Sequence, residues 1–123
     1  MRDGIAVDQE ARQAVPFEIM GKARIDFESV QWDAPAPGVR SKSFIRNGKK
    51  LRLVEFSHEF TEQEWCIKGH IGYVLEGELE IAFINRVETF VAGDGIFIAG
   101  GDDERHKAKV ITPLVRLLLT EEG

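Results

Sequence analysis

Tyr73-Val74-Leu75-Glu76-Gly77-Glu78-Leu79-Glu80-Ile81 is the stretch on which the fold of this 123-residue chain turns. It reads as a strand, a tight turn at Glu76-Gly77 and a second strand. Leu79, Ile81 and Phe83 alternate with Glu80, Ala82 and Ile84, the period-two pattern of a wall with one face more deeply buried. Downstream, Asn85-Arg86 turns into a strand at 87–91, and Gly93-Asp94-Gly95 turns into another at 96–99. A polar loop at 100–105 leads to a strand at 106–111, and Thr112-Pro113 opens the last one at 114–120.

Upstream, strands at 40–46 and 50–57 flank Asn47-Gly48, the dipeptide that best accepts the positive φ of a two-residue type I′ hairpin turn. Residues 65–67 read as a further short strand, and residues 24–30 as the first, ahead of the Pro35-Ala36-Pro37-Gly38 break. Residues 1–21 lack period-two alternation and read as an arm or short helix, leaving 22–123 as one all-β domain. Eight to ten short strands without a long helix are most economically closed into a double sheet, which hides the strand edges.

Composition narrows the function. Hydrophobic residues at 43% and charged residues at 30% place the chain among globular rather than disordered proteins. A net charge of −5 argues against a nucleic-acid partner, because phosphate binding needs clustered Lys and Arg, and the basic run at 46–52 only surrounds the hairpin turn. No apolar stretch is long enough to span a membrane, and Met1-Arg2-Asp3-Gly4 has no signal-like apolar core, so a cytoplasmic protein is expected. A single cysteine, Cys66, agrees with a reducing compartment and leaves its sulfur free as thiol, thiolate or ligand. No nucleophilic-serine elbow, phosphate-cradling glycine loop or dinucleotide fingerprint is present.

Just before the opening stretch stand Glu64, Cys66 and His70, and His106 follows the polar loop. On a strand, Glu64 and Cys66 would share a face, as would Glu104 and His106. A lone strand Cys is usually a small buried apolar residue. The cluster, rather than any one member, carries the metal reading.

This frame resembles the cupin family, over about residues 38–120. In that family's first motif a His-x-His pair is followed after three or four residues by Glu, and six residues later by Gly. Here Gly77 fits the Gly, His70 stands in the Glu slot, Cys66 in that of the second His and Glu64 in that of the first. The second motif runs Gly, five residues, Pro-x-Gly, two residues, His. Gly93 and Ala99-Gly100-Gly101 match its frame, its His slot falls on Glu104, and His106 lies two residues beyond, where a lengthened loop would bring it inward.

The resemblance implies a cupin double-stranded β-helix, or jelly roll, holding a divalent transition metal on Glu64, Cys66, His70 and His106. Thiolate and imidazole donors suit Zn, Fe, Ni or Cu. Arg40, Arg52 and Glu104 are candidate contacts for a small organic substrate, Glu104 also as a proton-transfer group, and a homodimer is expected. The family's range includes dioxygenases, isomerases, decarboxylases and lyases. Two functions therefore stand side by side: a metal-dependent enzyme, and a barrel that binds or senses a small ligand without turnover.

Overall fold

The computed structural model describes residues 23–122, which form nine strands in two antiparallel sheets. The larger sheet has the order β1 (Asp33–Ala36), β2 (Val39–Arg46), β3 (Lys49–Ser57), β9 (Leu114–Glu122), β4 (His70–Glu76), β7 (Gly95–Ile98). The smaller has β6 (Val87–Val91), β5 (Glu78–Phe83), β8 (His106–Val110). The jelly-roll expectation holds, and the proposed arm at 1–21 lies outside the described residues.

The hairpin forms as its dipeptide requires: Asn47 (φ 53°) and Gly48 (φ 75°) both take positive φ, and Arg46 pairs with Lys49. Its register then fixes every face above it, because directly opposed residues project to the same side. Ser43 opposes Arg52 and Arg40 opposes Glu55, so the two arginines point to opposite faces. β5 buries Leu79, Ile81 and Phe83, as the alternation demanded. These meet Val54, Val74, Ile96, Ile98, Val115, Leu117 and Leu119 from the larger sheet. Each such side chain contributes about 1.5–3 kcal/mol by leaving water.

Two expected strands are absent, for local polar reasons. At 24–30 the Asp26 carboxylate accepts from the Glu28 backbone N–H (3.2 Å) and the Ser29 hydroxyl (2.9 Å), winding Phe27–Ser29 into a 3-10 turn. A short acidic side chain that satisfies its own backbone competes directly with a sheet ladder. The turn docks on β2 through Lys42, whose Nζ donates to the Phe27 carbonyl at 2.7 Å.

Residues 65–67 are the second case. Between β3 and β4 the chain touches β8 only at isolated bridges, Thr61 with Lys109 and Cys66 with His106. Five steps on one side face three on the other, so the segment bulges by two residues, and period-two alternation is lost inside it. The Ala108 N–H donates instead to the Glu62 carboxylate at 2.8 Å.

Candidate metal centre

The bulge decides which residues meet. Cys66 and His106 exchange both backbone hydrogen bonds, at 2.9 and 3.0 Å, which sets them directly opposite and turns both side chains to the barrel interior. His70, the first residue of β4, reaches the same point from the larger sheet: its Nε2 lies 3.9 Å from Cys66 Sγ. The two imidazoles meet edge to face with centroids 5.2 Å apart. One donor atom from each of the three residues lies within 4.8 Å of the others.

Each ring has an oxygen acceptor behind it, within hydrogen-bond distance for His106 only. His106, 2% exposed, places Nδ1 at 2.9 Å from the Glu104 carbonyl oxygen. A carbonyl only accepts, so Nδ1 is the donor in this contact and Nε2 is the nitrogen left to bind a metal. His70 Nδ1 lies 3.6 Å from Glu121 Oε2, an ion-pair distance too long for a hydrogen bond, and is buried with no hydrogen-bond partner of its own. A carboxylate or carbonyl behind a histidine is the usual outer support of a metal-binding imidazole. The donor set fits a divalent transition metal, because it offers one sulfur and two nitrogens from the lining of one cavity.

Glu121 anchors the larger sheet's side of this arrangement. Its carboxylate also takes Arg52 Nη2 at 2.6 Å and Lys50 Nζ at 3.8 Å. The contact with His70, then Arg52 and Lys50, hold its carboxyl down to about 2 from 4.5, against burial, which pushes the other way. The folded carboxyl therefore binds fewer protons than the unfolded one, and its contribution to stability is present above pH 4.5 and lost as pH falls towards about 2. Chelator-treated protein is expected to lose stability through that window in denaturant titrations, and Glu121→Gln to flatten the loss. The same variant should weaken metal binding about 10- to 100-fold, the usual cost of removing such a support.

Of the seven residues singled out in the sequence, the structure gathers Cys66, His70 and His106, and Arg52 lines the adjoining cavity. Glu64 stands exposed on a bend, outside the group, because the bulge breaks the alternation that would have aligned it with Cys66. Arg40 lies on the outer face, 3.9 Å over the Trp32 ring and 2.9 Å from Glu55. The Glu104 carboxylate turns to Arg86 at 3.8 Å; only its carbonyl serves the site.

Glu62, Glu121 and the Phe56–Phe60 pair were not singled out from the sequence. The signal for Glu121 lies in the series Val115, Leu117, Leu119, Glu121, which places a carboxylate in line with three inward positions. Glu62 had no such signal, since its place depends on the bulge.

The cavity next to the triad holds about 270 Å³ and is lined mostly by apolar side chains, with Arg52, Lys68 and Glu62 among its polar ones. The double sheet makes the chain a cupin-fold barrel, with a Cys-His-His cluster beside its cavity. Among solved structures it is similar to an RmlC-like cupin from Ralstonia eutropha, at 18% identity over 87% of this chain and 72% of that one, TM-score 0.66. It is likewise similar to KdgF from Halomonas sp., at 18% identity over 76% of this chain and 86% of that one, TM-score 0.64. FeII HppE matches at 12% identity over 81% of this chain and 60% of that one, TM-score 0.65. No family model and no curated protein matches the sequence. No helix among the described residues is long and apolar enough to cross a membrane.

Proposed function

We propose that the protein binds one divalent transition metal, Zn, Fe, Ni or Cu, on Cys66, His70 and His106, and acts on or binds a small organic molecule in the adjoining cavity. The observation that carries this reading is the orientation of the rings: both Nδ1 atoms face acceptors outside the triad while the His70 ring meets Cys66 through Nε2. The similarity to a barrel described as an Fe(II) protein supports it. Cys66, His70 and His106 would hold the metal and leave a coordination position open, and the chemistry it would supply there is polarisation of a ligand oxygen. Arg52 and Lys68 attract and orient that ligand, and the apolar wall excludes water.

Metal titration of chelator-treated protein tests the reading. One equivalent of Co(II) per chain should bind and give the near-ultraviolet band of a cobalt thiolate, and Zn(II) should displace it. Protein that takes up none of Zn, Fe, Ni or Cu after refolding in each would overturn it.

Binding without turnover is the second reading, and one observation favours it. Both carboxylates near the cavity are already engaged by the protein, Glu62 through one oxygen by the Ala108 N–H and Glu121 by Arg52. Ligand-induced stabilisation that persists in chelator, with no product formed, would select this reading.

The proposed assembly is a homodimer. On β4 the outward positions Ile71, Tyr73 and Leu75 are 46%, 48% and 42% exposed, and Phe97 on the neighbouring edge strand β7 is 76% exposed. A second copy laid on this apolar face would bury what a monomer leaves in water, and would protect the β7 edge. Light scattering should give twice the chain mass at micromolar concentration, and Phe97→Glu should halve it.

A further inference from the structure

The cavity's lining sets limits on its ligand. Arg52, Val54 and Phe56 project inward from successive inside positions of β3, so a cationic end and an aromatic end are separated by about 13 Å of strand. The cationic end adjoins the triad, because Arg52 bonds Glu121 and Glu121 faces His70. At the other end Phe56 packs on Phe60, with ring centroids 4.5 Å apart and planes at 33°.

Phe60 is held there by construction. Gly38 (φ +82°) lies so close that a Cβ on it would overlap the backbone of Phe60. The Gly38 carbonyl accepts from the Ser57 N–H at 2.8 Å, and the Ser57 carbonyl from the Phe60 N–H at 3.0 Å. The loop after β3 is thereby folded down over the cavity.

The charges leave room for one more anion. A dication on one thiolate and two neutral imidazoles keeps one positive charge. Glu121 is already matched by Arg52, and the other two charged side chains of the lining, Glu62 and Lys68, are of opposite sign. Arg52 Nε is buried without a hydrogen-bond partner. At about 270 Å³ the space falls just below the usual range for ligand pockets, which start near 300 Å³, so the ligand is about the size of a single ring with a short side chain.

We propose that the ligand of this cavity is a small monocarboxylate with an apolar, preferably aromatic, body. Its carboxylate lies at the Cys66–His70–His106 and Arg52 end, and its ring lies against Phe56 and Phe60. Polyhydroxy acids are disfavoured, since their hydroxyls would meet apolar wall with no partner. The proposal rests on the metal reading above.

The test uses the full chain loaded with Co(II), and phenylacetate as probe, with 2-phenylethanol, acetate and glucuronate as comparators. Phenylacetate is expected to shift the visible cobalt spectrum, raise the melting temperature and bind at least about 10-fold tighter than each comparator. Phe60→Ala should remove the preference for phenylacetate over acetate while leaving acetate binding unchanged, which separates a lost ring contact from a lost fold. Equal binding of glucuronate or 2-phenylethanol, or an unmoved cobalt spectrum with all four, overturns the proposal. Protein that never acquires the cobalt thiolate band refutes the metal reading itself, and this proposal with it.

Discussion

His106→Ala protein is expected to emerge without bound transition metal and to hold added Co(II) or Zn(II) more than about 100-fold more weakly than the unaltered chain. Loss of an outer support costs 10- to 100-fold, and a direct donor more. His106 is the residue on which the triad converges: it opposes Cys66 through paired backbone bonds and meets the His70 ring at 5.2 Å. With it gone, a thiolate and one imidazole remain, too few to hold a tetrahedral metal against water. The fold should survive, since the two backbone bonds to Cys66 do not involve the side chain, and truncating a single 2%-exposed ring costs stability of about 1–3 kcal/mol. Glu104→Ala is the matched control. That side chain faces Arg86, and only its carbonyl supports His106, so metal affinity should stay within about twofold. Equilibrium dialysis reads both variants, and equal loss from both would show that the loop, not the imidazole, holds the metal.

Gly77→Ala should destabilise the fold strongly, because it combines a strained conformation with a backbone overlap. Gly77 turns β4 into β5 with φ +87°, and a Cβ there would overlap the Leu114 carbonyl oxygen and crowd Thr112 Oγ1. The left-handed conformation costs a non-glycine residue about 1–2 kcal/mol, and overpacking against fixed backbone a further 1–3 kcal/mol. The neighbours cannot yield cheaply, because Thr112 Oγ1 accepts from the Glu78 N–H at 2.9 Å and donates to the Leu114 carbonyl at 3.0 Å. A loss of about 3 kcal/mol corresponds to a fall of roughly 10 °C in melting temperature for a domain of this size. Gly93→Ala is the comparison: its φ is +99°, yet nothing lies within 4 Å of the added Cβ, so only the conformational cost applies. Thermal unfolding that leaves the two variants equal would remove close packing at Gly77 from the account.

How far the site could be read ahead follows from where alternation survived. β5 is hydrogen-bonded on both sides, to β6 and β8, so its two faces hold along its whole length, and Leu79, Ile81 and Phe83 were legible at once. His106 was legible through the extra length of the loop before it, and it is buried in the triad. Glu64 was not, because its placement assumed a strand where the chain bulges, and the bulge is stabilised by a contact between residues 46 positions apart, Glu62 with Ala108. The two arginines differ for a related reason. Arg40 and Arg52 both sit on real strands, and only the hairpin register puts one outside and one inside.

The sequence by itself determined the strand inventory around 73–81, the hairpin at Asn47-Gly48, the cupin frame and the presence of Cys66, His70 and His106 in it. Those rest on local physics: period-two burial, turn residues with positive φ, and spacing along one chain. Only the tertiary structure decided that Cys66, His70 and His106 come together without Glu64, that Glu121 lies behind His70, and that Phe56 and Phe60 line the adjoining cavity. Each of these depends on which strands lie side by side and in what register. A two-residue bulge, satisfied by one distant carboxylate, is enough to move a side chain from the barrel interior to water.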